Sequence, residues 1–448
     1  MEITAFLRTL FPSLPGAGGI RRSTRQPIES GLKDFVEGGG IPGLSAAFIT
    51  AEGAEYFSRG IDPENPGAPL TEVTQFQVAS ISKLLTTTVL ADLVREGGLS
   101  LDDPAEKYLP ANVRLPSRNG KVITLRTLAT HTSGLPAAGR GDAERAKSVK
   151  LGWDYELQVI AAQKLPTDPG ARFNYSNMGM SLLGHILEIR SKTPYEQLVA
   201  RRVLLPLGMD NTWITRPAGS ASPIHDFDIG IYSPAGGYSS NARDLAKFAA
   251  GALGKAPAPL LGSLNLTFTP QGRDDGGRFL HLGWHEEGQP SLLSHTGLQH
   301  AYLGIDLERK VGLVLLCTAQ TAQINGLGLA ALQVLGGGKA EFPRPRPVIR
   351  LSPGTLEKYT GAYRQGEKGG TIAVTSDPDR DILLLSFDGG TNYPMWAQTQ
   401  SLFYCREWKC DMQFPDPVDG KAPSAAIFMD SWSGEYARTD SGGKRVIP

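Results

Sequence analysis

The run Gln75-Phe76-Gln77-Val78-Ala79-Ser80-Ile81-Ser82-Lys83, followed by Leu84-Leu85-Thr86-Thr87-Thr88-Val89-Leu90, constrains this chain more than any other stretch. A short apolar segment ends at a serine, and an apolar helix starts there. Residues i and i+3 share a helix face, so the Lys83 amine stands one turn above the Ser80 hydroxyl. A helix N-terminus also carries unpaired backbone N–H groups and partial positive charge, which suit a developing oxyanion. Ser-x-x-Lys alone says little, because it occurs three times: Ser30/Lys33, Ser80/Lys83 and Ser441/Lys444. Only the middle copy joins an apolar entry segment to a long apolar helix.

At 448 residues the chain is expected to hold more than one domain. Residues 1–26 read as a leader rich in Pro and Gly and then basic. Residues 27–340 read as the main domain, 341–352 as a linker around Phe342-Pro343-Arg344-Pro345-Arg346-Pro347, and 353–448 as a small all-β domain. In the main domain, Ile28 to Val36 has helical spacing, and Leu44–Ile49 with Ala54–Ser58 reads as a hairpin through Glu52-Gly53. Leu292–His295, Ala301–Leu307 and Val311–Thr318 read as antiparallel strands, and Ile324–Leu335 as a closing helix. Residues 137–165 read as an irregular, flexible cap. Beyond the linker, five short strands are expected: 359–363, 371–375, 382–387, 401–404 and 425–429.

Composition narrows the function classes. Lys plus Arg equals Asp plus Glu at 45 each, which favours neither nucleic acid nor an acidic membrane as partner. Cys317, Cys405 and Cys410 make no disulfide framework, and Cys405 and Cys410 read as ordinary buried thiols. The seven histidines show no metal-ligand spacing; His281 and His285 flank Leu282-Gly283-Trp284, a strand or turn. No metal and no cofactor is expected. No apolar run reaches membrane-span length. Glu2 and Arg8 spoil the N-terminus as a secretion signal, so a cytoplasmic location is expected.

Tyr-x-Asn occurs once, at Tyr175-Ser176-Asn177, and His-x-Gly occurs at 281–283 and 295–297. Ser80-Ile81-Ser82-Lys83, Tyr175-Ser176-Asn177 and His295-Thr296-Gly297 together resemble the three motifs of the serine β-lactamase and penicillin-recognising family. The branch they resemble holds class C β-lactamases, D-alanyl-D-alanine carboxypeptidases, D-aminopeptidases and esterase relatives. Three further phrases match: His131-Thr132-Ser133-Gly134-Leu135-Pro136, Pro206-Leu207-Gly208-Met209 and Pro234-Ala235-Gly236-Gly237-Tyr238. The resemblance covers roughly 27–340. The C-terminal segment is similar to the lipocalin-like barrel that some members append.

The resemblance implies an α/β (α+β) fold: an antiparallel sheet flanked by helices, an all-helical subdomain and the small barrel. It implies Ser80 as nucleophile, Lys83 and Tyr175 as a coupled base, and Asn177 as donor to the substrate carbonyl. His295 is expected to relay a proton to the leaving group or, when protonated, to bind a carboxylate. The oxyanion is assigned to the backbone N–H groups of Ser80 and Leu298, next to Thr296 and Gly297 on the substrate-binding strand. A serine hydroxyl needs such a base before it attacks. The reading is a metal-independent serine hydrolase acting on small esters or amides. The alternatives are a D-amino-acid peptidase or DD-carboxypeptidase, an acyltransferase, or a non-catalytic penicillin-binding protein. The C-terminal domain is assigned to packing or to assembly of a homo-oligomer. His131 reads as a histidine satisfied by backbone groups, Asn177 doubles as a helix cap, and Trp153 and Tyr155 are either pocket lining or loop anchors.

Overall fold

A computed structural model describes residues 20–62, 67–136, 147–225, 228–346, 348–367, 369–378, 380–388, 390, 392–405, 410–429 and 432–439. Residues 1–19, residues 137–146 of the stretch read as a cap, and Ser441 with Lys444 lie outside the described residues.

Strand β1 (Gly43–Ile49) is buried along its whole length, as a strand covered on both faces must be. Its side chains alternate, and that alternation divides the core. Leu44, Ala46 and Phe48 join one cluster, while Ala47 and Ile49 join the other. β1 pairs with β2 (Ala54–Gly60) through the expected hairpin at Glu52-Gly53. β3 (Phe76–Gln77) and β4 (Ser239–Ser240) form a separate two-stranded ladder. β5 (His285–Glu286), β6 (Leu292–Gly297), β7 (Ala301–Asp306) and β8 (Val311–Cys317) complete the main sheet. The order is β2-β1-β8-β7-β6-β5, antiparallel throughout. β5 is an edge, next to the His-x-Gly strand β6.

Helices close both faces. α1 (Arg22–Glu37) presents Ile28, Leu32 and Phe35, spaced i, i+4, i+7, to one face of the sheet. It begins inside the stretch read as leader, because Arg25 pairs with Glu29 and Glu55 and holds the first turns. On the opposite face, α2 (Ser82–Arg95) is buried nearly all round. A helix in that position must satisfy its polar side chains internally. Thr88 donates to Leu84 O at 2.6 Å, and Thr86 donates to Pro234 O at 2.7 Å. α3 (Asn177–Ser191) and α4 (Ala242–Ala250) contribute to the same cluster, and α5 (Ile324–Leu335) joins α1. The region read as an irregular cap holds a helix over Trp153–Ala161, with Trp153 stacked on His185 at 4.1 Å. Lys147 sits over the Tyr155 ring.

The C-terminal strands β9 (Gly361–Arg364), β10 (Thr371–Asp377), β11 (Ile382–Phe387), β12 (Tyr393–Ala397), β13 (Leu402–Cys405), β14 (Cys410–Gln413), β15 (Ser424–Met429) and β16 (Trp432–Arg438) close into a barrel. β16 pairs back with β9, so no edge remains open. Five strands were expected; β12, β14 and β16 are additional. β12 carries Pro394 and β14 is four residues long, so neither shows enough alternation to be read locally. Tyr363, Leu383, Leu385, Phe403 and Met412 are fully buried and fill the interior. Cys405 and Cys410 are thiols facing each other in register across β13 and β14. The linker is tied at both ends. Phe342 lies against Gly31 of α1, where a Cβ would come within 2.3 Å of its ring, and Arg346 lies 4.0 Å over Tyr404 while pairing with Asp411. Among the described residues, no helix is long and apolar enough to cross a membrane.

Candidate active site

Ser80 lies in a single 3-10 turn, Ala79–Ile81, that runs directly into α2. Ala79 has φ 45°, a left-handed backbone uncommon for a residue with a Cβ and frequent at functional turns. The turn is held from several sides. Val78 N–H donates to Tyr238 O at 2.9 Å, Tyr238 N–H donates to Ser82 Oγ at 3.1 Å, and His300 Nε2 lies 2.7 Å from Gln77 O. Gly297 packs so closely that a Cβ there would stand 2.2 Å from Val78 O. What approaches this glycine is the backbone beside the nucleophile.

Lys83 Nζ stands 3.0 Å from Ser80 Oγ and donates to Ala235 O at 2.5 Å. The residue is fully buried, and burial pushes the amine well below its ordinary value. Tyr175 lies beside it, with Nζ 4.8 Å from the ring centre. Burial raises the Tyr175 phenol, and a hydrogen bond with Ser80 offsets a smaller part of that rise. Both groups therefore tend toward their neutral forms. A neutral Nζ can give one N–H to Ala235 and turn its lone pair to the Ser80 hydroxyl.

The loop His131–Pro136 positions Tyr175 by gripping the residues on either side. Asn174 N–H donates to His131 O at 2.7 Å, Asn174 Nδ2 donates to Leu135 O at 3.0 Å, and Ser176 Oγ donates to Pro136 O at 2.6 Å. Ser176, not Asn177, caps α3: its Oγ accepts from Gly179 N–H at 2.9 Å. The Asn177 amide is thus released from capping, and among the described residues it has no hydrogen-bonding partner.

His295 donates from Nδ1 to Thr296 O at 2.8 Å, which leaves Nε2 as a lone pair with no partner. Burial, with the nearness of His285 and Lys83 adding to it, holds the ring well below the usual histidine value. Its neutral form cannot serve as a carboxylate's counter-charge at neutral pH. Leu298 follows Gly297 with φ 42°, starting the turn into β7. Thr296 lines a cavity of about 270 Å³, as do His131 and His285.

Two imidazoles join the site that local reading left out of it. His131 lies 4.5 Å from the Tyr175 ring; its Nδ1 accepts from Ser176 N–H at 3.1 Å, so backbone satisfies one nitrogen while Nε2 has no partner. His285, on edge strand β5, stands 4.8 Å from His295 and 6.1 Å from Tyr175. Burial brings His285 down to about 4 and holds His131 well below its ordinary value. Only the pairing of β5 with β6 carries His285 into the site, and no local signal announces that. Among the described residues, no three His, Cys, Asp or Glu side chains converge as metal ligands.

A family model described as Beta-lactamase matches residues 28–333, the span that holds all of these groups. The chain belongs to the β-lactamase family. A human protein named beta-lactamase-like 1 is 30% identical over 388 residues, covering 80% of this chain and 73% of that protein. The D-alanyl-D-alanine-carboxypeptidase/endopeptidase AmpH of Escherichia coli K12 is 34% identical over 181 residues, 40% of this chain; the chain spans 46% of that enzyme's length. Among solved structures, a class C β-lactamase superposes with TM-score 0.60 at 21% identity, over 70% of this chain and 99% of its own. An octameric penicillin-binding protein homologue from Pyrococcus abyssi superposes with TM-score 0.59 at 23% identity, over 92% of this chain and 99% of its own. The wider match runs past the family core into the barrel.

Proposed function

We propose that this family member is a metal-independent serine hydrolase that forms an acyl-enzyme on Ser80 from small esters or amides. The observation that carries the reading is the Lys83 amine, 3.0 Å from Ser80 Oγ and biased by burial toward the unprotonated base. In acylation, Oγ bonds to the carbonyl carbon while its proton passes to Nζ. The tetrahedral oxyanion is met by the N–H groups of Ser80 and Leu298, a pair in which losing one donor typically costs about a hundredfold in rate. Asn177 donates to the substrate's carbonyl side. Collapse breaks the bond to the leaving group, which takes a proton from Lys83 through Tyr175 or His295. Water then attacks the acyl-enzyme carbonyl while the same base takes its proton, the bond from the carbonyl carbon to Oγ breaks, and that proton returns to Oγ as the acid leaves.

Of the two bases considered, Lys83 is favoured over a Tyr175 phenolate, since burial raises the phenol and lowers the amine. A D-amino-acid peptidase is the second reading. His295-Thr296-Gly297 and the similarity to a D-alanyl-D-alanine-carboxypeptidase/endopeptidase favour it, while the neutral His295 speaks against a substrate carboxylate there. Assembly through the barrel belongs to the proposal, supported by a match to an octameric homologue that reaches into that barrel. The test is labelling of intact protein with an organophosphonate and mass mapping of the adduct. Label on Ser80 with loss of p-nitrophenyl butyrate hydrolysis in Ser80→Ala supports the reading; full activity in that variant removes it.

A further inference from the structure

The cavity of about 270 Å³ is lined by, among others, His131, Phe173, His281, His285, Glu286 and Thr296. Its polar groups are unevenly matched. His281 Nδ1 lies 2.8 Å from Phe268 O, and a carbonyl only accepts, so Nδ1 holds a hydrogen and the neutral ring presents its lone pair at Nε2. That Nε2 stands 3.7 Å from Glu286 Oε2. Both atoms are buried, and neither has a hydrogen-bond partner. The His281 side chain is only 1% exposed. With the ring neutral, two acceptors face one another across that gap, an arrangement that is costly unless a donor enters.

We propose that this cavity is a subsite for a primary ammonium group carried by the substrate, with Glu286 Oε2 and His281 Nε2 as its acceptors. The proposal rests on reading Ser80 as the nucleophile. An ammonium nitrogen about 2.9 Å from each atom bridges the gap between them and offers several N–H groups. A carboxylate would add a third acceptor and be repelled. The remaining groups agree with that sign. His131 and His285 are held uncharged by burial. Glu287 accepts from Ser294 Oγ at 2.6 Å and adds negative charge to the wall. Arg278, the wall's one cationic side chain, is exposed, lies 4.5 Å over the Phe173 ring, and has the Asp274 carboxylate beside it. The Phe173 and Trp284 rings supply apolar walls. His131, His285 and Thr296 border both this cavity and the surroundings of Tyr175 and His295. The volume admits only a small group.

Calorimetry on the intact protein at pH 7.5 with benzylamine, benzyl alcohol and benzoate tests the subsite without requiring turnover. Benzylamine is expected to bind at least tenfold tighter than benzyl alcohol, with no binding of benzoate, and Glu286→Gln is expected to erase the difference. Equal binding of amine and alcohol by the unaltered protein overturns the proposal, whatever the variant does. So does an amine preference that survives in folded Glu286→Gln. Hydrolysis of p-nitrophenyl butyrate, followed in parallel, reports on Ser80 separately. Turnover without amine preference removes the subsite alone, and amine preference without turnover removes the nucleophile assignment while the subsite stands.

Discussion

Replacing Lys83 by methionine tests the electrostatic core of the site, because the side chain is similar in length but has no proton to lose. A lysine whose folded pKa lies below its unfolded value binds more protons when unfolded. Wild-type stability must then rise with pH between the folded value and about 10.4, by about 1.4 kcal/mol per pH unit. Holding the amine well below its ordinary value therefore costs folding free energy at pH 7, because the proton that the unfolded chain binds must be given up. Methionine carries no such penalty. It does forfeit the hydrogen bonds to Ser80 and Ala235, worth about 1 kcal/mol each, so the net change at pH 7 is smaller than the penalty. The slope is unaffected by those terms. Urea unfolding of wild type and Lys83→Met at pH 7, 8 and 9, read by tryptophan emission, should show the variant losing about 1.4 kcal/mol relative to wild type per pH unit. At the same time kcat/KM for p-nitrophenyl butyrate should fall by about 10²- to 10⁴-fold, as for loss of a general base. Parallel stability curves would mean that Lys83 is charged in the folded protein, and the neutral-amine mechanism would fail.

Gly297→Ala would place a Cβ 2.2 Å from Val78 O, and since backbone must yield, about 1–3 kcal/mol of stability should be lost along with acylation at Ser80; urea midpoints and phosphonate labelling check both effects. Ser176→Ala removes the α3 cap and should cost about 1 kcal/mol in the same unfolding assay. Because His295 is held neutral, amidating the terminal carboxylate of a D-alanyl-D-alanine substrate should change kcat/KM by less than about threefold, whereas a cationic partner at that position would make the change large.

Much of the scaffold is legible in local pattern. The β1–β2 hairpin, the strands from 292 onward and helix Ile324–Leu335 follow from alternation, turn residues and helical spacing. Three strands of the barrel do not, since β12 is held by pairing with β11 and β13, β14 by β13 and β15, and β16 by β15 and β9. Asn177 as cap of α3 is off by one residue: Ser and Asn are both good caps, and the Gly179 N–H donates to Ser176 Oγ.

What the chain's order of residues determined was the inventory: a serine and an amine one helical turn apart, one Tyr-x-Asn, one His-Thr-Gly on a strand, and the phrases that surround them. Folding decided their chemistry. The Ala235 carbonyl, 152 positions along the chain from Lys83, becomes its hydrogen-bond partner; His285 enters through strand pairing; and Gly297 closes on the Val78 backbone. Side-chain identity is written residue by residue, but the proton affinities of Lys83, Tyr175 and His295 depend on how much water and charge surround them, and that is set only when distant segments pack together.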